Sequence, residues 1–101
     1  MYPVNSQILA RDQIAKLPAL FPNWRLVNGQ LTREIQAPTY AIAIDWVVAI
    51  AGAAESLDHH PDIDIRWRTL RIALITHSTG CLTELDLDLA SLIDAVLSTG
   101  A

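Results

Sequence analysis

Cysteine is nearly absent from this chain. Cys81 stands alone, so no intrachain disulfide can form and a cysteine-based zinc site is excluded. Such a chain suits a reducing compartment, and the cytoplasm is the expected location. Basic residues are also scarce. Seven Lys and Arg face eleven Asp and Glu, a net charge of −4, which argues against nucleic acid as a partner because that ligand needs a basic face. The opening residues Met1-Tyr2-Pro3-Val4-Asn5-Ser6 lack the basic stretch and following apolar run of a secretory signal. The longest apolar run, Tyr40 to Ala54, is too short to span a membrane, and Asp45 and Gly52 interrupt it. Apolar residues, by contrast, are plentiful. At 51% hydrophobic against 18% charged, the chain should fold rather than stay disordered. Its 101 residues support one core, hence a single domain over 1–101. Some of that apolar surface is expected to lie against another subunit.

Periodicity supplies the elements. Ser6 can cap a first helix with Ile8, Leu9, Ile14 and Leu17 as its stripe, closed by Pro18 and Pro22. Trp24-Arg25-Leu26-Val27 and Leu31 to Gln36 alternate in period two around Asn28-Gly29, the pair a type I′ hairpin turn prefers. Thr39 is a good N-cap for a helix from Tyr40 to about Leu57. That helix is apolar nearly all round, so a second face should pack on another helix or protomer. It must end near His60, because a residue before proline is pushed out of the α region. Ile63 to Arg68 alternates strictly, with Ile63, Ile65 and Trp67 on one face. A turn near Thr69 then leads into Leu70 to His77, a second hairpin. Thr83-Glu84-Leu85-Asp86 resembles a capping box opening a helix striped by Leu85, Leu89, Leu92, Ile93, Val96 and Leu97, with Gly100 after it. The fold class is α+β: a four-stranded antiparallel sheet with three helices on one face, in the order α-β-β-α-β-β-α.

Chemistry concentrates in Glu55-Ser56-Leu57-Asp58-His59-His60-Pro61-Asp62. Glu55 and His59 are spaced i, i+4, so on a helix the carboxylate can orient the imidazole. Asp58 can hold the neighbouring ring, and a helix C-terminus favours protonated imidazole. Histidine titrates near neutrality and can serve as acid and base. A hairpin starting just after Pro61 returns the end of its second strand beside its start, which brings His77 toward the pair. From spacing alone, the His pair reads equally as a solvated helix cap and as a catalytic pair. Three histidines could instead bind zinc or iron, but adjacent histidines rarely reach one metal and the i, i+4 His spacing is absent. Asp86 reads first as a capping acid, Trp24 and Trp67 as core or pocket wall, and Cys81 as a small buried residue. Arg66, Arg68 and Arg71 read as a solvated sheet face or as partners of Asp62, Asp64 or Glu34.

Glu55 through Asp62, followed by Trp67, Thr76-His77, Gly80 and Thr83-Glu84-Leu85-Asp86 with Leu89-Ala90, resembles the signature of the pterin-4a-carbinolamine dehydratases. Trp24, Leu31, Ile35 and the helix from Thr39 fit the wider pattern, and the first helix matches least. The resemblance implies a cofactor-free dehydratase acting on 4a-hydroxytetrahydrobiopterin or a related 4a-hydroxytetrahydropterin, the product of aromatic amino acid hydroxylases. Loss of water gives the quinonoid dihydropterin. The family histidines fall on His59, His60 and His77, and its supporting acids on Glu55, Asp58 and Asp86; Pro61 and Trp67 complete the site residues. His59 and His77 would act as acids on the hydroxyl, while His60 would hold the pterin and take the proton. Ile63 departs from some animal members, which carry tryptophan there; that removes an aromatic wall and bears on pterin affinity. Homodimers or homotetramers are implied. So is an alternative, non-catalytic role, as a Rubisco assembly factor or a dimerisation partner of another protein.

Overall fold

A computed structural model describes residues 7–99. The expected Ser6 cap and the Gly100 stop lie outside the described residues. The elements are α1 (Arg11–Ala15), α2 (Leu17–Leu20), β1 (Arg25–Val27), β2 (Gln30–Gln36), α3 (Tyr40–Leu57), β3 (Asp62–Arg66), β4 (Thr69–Leu74) and α4 (Glu84–Thr99). All four strands pair antiparallel in the order β1-β2-β4-β3. Leu31, Leu70, Ile72 and Leu74 are buried on one face, beneath Ile50 of α3 and Leu89 and Ile93 of α4. The other face carries Glu34, Arg71 and Asp64 in register across three strands, all exposed.

The expected helix from Ser6 is instead two short pieces meeting at Lys16. Pro18 explains the break, since it has no N–H to donate back to Ile14 and its ring obstructs the preceding turn. Ile8 does not join a helical stripe. It bridges Thr83, and the Leu9 N–H bonds to the Leu82 carbonyl at 3.0 Å. This extended segment ties the N-terminal arm to the start of α4.

The β1–β2 turn has Asn28 at φ 52° and Gly29 at φ 77°, as a type I′ turn demands. The second turn sits earlier than expected. Arg66 pairs with Thr69, so Trp67 and Arg68 form the two-residue loop. Trp67 takes φ 54°, the demand a type II′ turn makes of its first residue. Its ring is therefore not on the core face. It is 69% exposed, with the Arg68 guanidinium 4.6 Å from its centroid. Arg68 also donates to the Ala37 and Pro38 carbonyls, and Arg66 pairs with Asp64 at 3.1 Å. Trp24 is in the core, and its Nε1–H donates to Asp94 at 2.8 Å; Arg33 binds the same carboxylate oxygen.

Thr39 caps α3 through its hydroxyl, which accepts the Ile42 N–H at 3.1 Å. Ala43, Trp46, Ile50 and Ala54 form the buried face, spaced as one helical stripe. The run expected to be too short to span a membrane continues as a helix to Leu57, and at 18 residues α3 is long and apolar enough to cross one by length and composition. Its buried stripe belongs to the same core as the sheet, however, and that core cannot form around a helix surrounded by lipid. α4 packs along α3, while Tyr40, Ile44 and Val48 remain exposed on another side.

Candidate active site

The site forms where α3 stops. Asp58 adopts φ 48°, ψ 43°, the left-handed conformation that aspartate tolerates better than most residues. The Asp58 N–H bonds to the Glu55 carbonyl at 3.2 Å and the His59 N–H to the Ala54 carbonyl at 3.1 Å, a Schellman ending. This turn corrects the expected pairing of Glu55 with His59. The i, i+4 face requires the helix to continue, and it ends at Leu57, two residues short of His59. Glu55 instead lies 3.5 Å from His60 Nε2, both side chains exposed. His59 turns inward, with 11% of its side chain exposed.

The partner of His59 is Asp86. Its Oδ1 lies 2.6 Å from His59 Nε2, and the carboxylate is fully buried. Asp86 Oδ2 accepts the Thr76 hydroxyl at 2.8 Å and the Thr83 N–H at 2.9 Å. The last bond is one half of the expected capping box. On the other side, the Thr83 hydroxyl accepts the Leu85 N–H at 3.2 Å. Asp86 thus serves as helix-capping acid and histidine partner together. A buried carboxylate with three donors is compensated for its loss of water.

The loop after β4 fixes the other side. Thr76 donates its N–H to the Cys81 carbonyl, and its own carbonyl accepts from Thr79 and Gly80. Gly80 closes the loop at φ 69°. Cys81 is exposed here rather than buried, since its backbone does the work and its thiol lies outside the core. The loop holds His77 beside the start of β3, because Asp62 pairs with Ala73 and the chain continues three residues past Leu74.

The result is an open cleft of about 290 Å³ lined by Asp58, His59, His60, Thr76, His77, Ser78 and Leu85. All three histidines line it. Pro61 is half-buried and leads directly into β3. Trp67 is not brought to this cleft; it lies at the opposite end of the β3–β4 hairpin. Ile63 sits within β3, half-buried against the core. Thr76 and Thr83 are the functional residues that the sequence reading left without a role at the histidines. The capping-box spacing pointed to Thr83 and Asp86, but nothing local linked them to His59, 27 residues from Asp86. Among the described residues, no three His, Cys, Asp or Glu side chains are grouped to hold a metal ion.

Comparison with known proteins bears on the family and the fold. The sequence model of the pterin 4 alpha carbinolamine dehydratase family matches residues 7–96. A relative from Mycolicibacterium smegmatis, named provisionally as such a dehydratase, is 48% identical over 92 residues, covering 90% of this chain and 97% of its own. One from Mycobacterium bovis, named in the same way, is 49% identical over 89 residues, covering 88% and 95%. Among solved structures, the transcriptional coactivator/pterin dehydratase from Brucella melitensis superposes with a TM-score of 0.84 at 26% identity, over 89% of this chain and 98% of that one. A pterin dehydratase-like protein described as a RuBisCO assembly factor of the alpha-carboxysome shares the fold, with a TM-score of 0.62 at 23% identity over 73% and 88%. With a family match across nearly its whole length, the chain belongs to the pterin-4a-carbinolamine dehydratase family.

Proposed function

We propose that the chain dehydrates 4a-hydroxytetrahydrobiopterin, or a related 4a-hydroxytetrahydropterin, to the quinonoid dihydropterin by histidine acid–base catalysis. The observation that carries this reading is the buried Asp86–His59 pair opening onto a cleft shared with His60 and His77. In the reaction the C4a–O bond breaks as an acid protonates the departing hydroxyl. N5 gives up its proton as the N5–C4a double bond forms. The proton delivered and the proton removed balance, water leaves, and no oxidant or cofactor is required. His59 and His77 are assigned to the hydroxyl, and His60 to holding the pterin and taking the N5 proton. The Asp86 carboxylate holds the His59 ring in place at 2.6 Å. Glu55 and Asp58 add negative charge at the rim, beside His60.

The substrate would come from an aromatic amino acid hydroxylase, and a reductase would consume the product. The exposed Tyr40, Ile44 and Val48 on α3 favour a homodimer or homotetramer. The acidic chain, with its single cysteine, suits the cytoplasm. The alternative is a protein-assembly or dimerisation role without catalysis. Such a role needs no histidine held by a buried carboxylate, so the cleft favours the enzyme. The test is the rate at which synthetic 4a-hydroxytetrahydropterin loses water, followed by absorbance with and without the purified protein. Acceleration well above the spontaneous rate is expected; a rate equal to it would remove the enzymatic reading.

A further inference from the structure

The direction of the hydrogen bonds around Asp86 can be worked out from the groups that have no choice. The Leu85 and Thr83 backbone N–H groups can only donate. Leu85 donates to the Thr83 hydroxyl oxygen, and Thr83 N–H donates to Asp86 Oδ2. The hydroxyls of Thr76 and Thr83 are 2.7 Å apart, so one of them gives its proton to the other. Thr76 has one proton, and Asp86 Oδ2 lies 2.8 Å away as an acceptor. The arrangement that satisfies every group runs one way: Leu85 N–H to Thr83 hydroxyl, Thr83 hydroxyl to Thr76 hydroxyl, Thr76 hydroxyl to Asp86. Every donor ends on the carboxylate. An ionised carboxylate has acceptor capacity only, so the remaining Oδ1 contact takes a proton from the His59 ring nitrogen rather than giving one.

We infer that Thr76 and Thr83 are positioning residues whose one-way hydrogen-bond chain fixes the Asp86 carboxylate with Oδ1 turned to His59, and that this acceptor holds neutral His59 as its Nε2–H tautomer. Nδ1 is then the nitrogen available to a molecule in the cleft. A neutral His59 meets that molecule as an acceptor through Nδ1, and a protonated one meets it as a Nδ1–H donor. The leaving hydroxyl would receive its proton from Nδ1. This deepens the dehydratase reading and rests on it for the identity of the molecule in the cleft, but the tautomer itself does not. Thr76 lies at the strand exit, directly before His77, and Thr83 is the N-cap of α4. The chain therefore couples the loop that carries His77 to the turn that carries His59.

The test uses the full chain labelled with 15N at histidine, with long-range proton–nitrogen correlation spectra recorded above the titration of the rings. Wild-type His59 should show a protonated Nε2 and an unprotonated Nδ1. Thr76→Val keeps the shape and removes the hydroxyl, and should move the His59 signals toward exchange between tautomers. With the dehydratase assay it should lose about tenfold in kcat, the scale of one hydrogen bond, at unchanged KM. Thr76→Ser restores the hydroxyl and should recover both readouts. A wild-type His59 found as the Nδ1–H tautomer overturns the inference. So does a folded Thr76→Val with wild-type His59 signals, or a Thr76→Ser that behaves like Thr76→Val, which would make the methyl group the relevant part. A chain with no dehydratase activity but the Nε2–H tautomer in place would overturn the proposed function and leave this inference standing.

Discussion

Asp86→Asn separates the structural and chemical roles of one buried side chain. The carboxylate is fully buried and accepts three hydrogen bonds, from His59, Thr76 and Thr83. Asparagine can place its carbonyl oxygen where Oδ2 stood, keeping the Thr76 and Thr83 bonds and hence the helix cap. Its NH₂ then points at His59 Nε2, which must become an acceptor. All three bonds to the carboxylate lose their charge assistance, a loss offset in part because the buried group no longer carries a charge. The expected stability loss is about 1–2 kcal/mol, with a fall in Tm of about 4–8 °C for each kcal/mol in a domain of this size. The catalytic loss is larger, because the ring is held in the wrong tautomer and its protonated form loses its counter-charge. A drop in kcat of about 10²–10⁴ is expected, the contribution of a placed acid or base. Asp86→Ala strands three donors at about 1–3 kcal/mol each and should be much less stable than Asp86→Asn. Thermal denaturation and steady-state dehydration kinetics read both effects. A folded Asp86→Asn with wild-type kcat would remove Asp86 from the chemistry, and an Asp86→Ala as stable as Asp86→Asn would remove its hydrogen bonds from the stability of the fold.

Three further outcomes follow from individual residues. Asp58→Asn should stay within about 0.5 kcal/mol of wild type, whereas Asp58→Val, β-branched in the left-handed region, should lose about 1–2 kcal/mol in urea denaturation. Gly29→Ala meets no neighbouring atom within 4 Å, so its cost is the positive φ alone, about 1 kcal/mol by the same measurement. Asp94→Ala removes the shared acceptor of the Trp24 indole and the mostly buried Arg33. It should lower stability by about 2 kcal/mol and leave dehydration kinetics per folded molecule unchanged, because the network lies outside the cleft.

Local chemistry made much of the fold legible before any coordinates. Asn28-Gly29, Thr39 and the Thr83–Asp86 box each satisfy backbone groups within a few residues, so their signals are written in short spacings. The second turn was misplaced because its positive-φ position holds Trp67, a residue that period-two alternation assigns to a strand. The first helix was overdrawn because its apolar spacing continues through a proline that its backbone cannot. At the site, the three histidines were visible as a cluster and the hairpin gave a reason for them to meet. The partner of His59 was not visible. Glu55 had the right spacing for a helix that Asp58 terminates, and Asp86 reaches His59 only through the packing of α4 on α3. Long-range pairing of this kind leaves no periodic trace in the chain.

The proposed dehydration takes place in the cleft of His59, His60 and His77. His60 and His77 are exposed, so replacing both with alanine should leave the fold intact. The decisive measurement is the dehydration rate of 4a-hydroxytetrahydropterin with that double variant, beside wild type at the same concentration. The expected rate is reduced to near the spontaneous value in a protein with wild-type circular dichroism. A double variant that keeps the wild-type acceleration would place the chemistry outside this cleft.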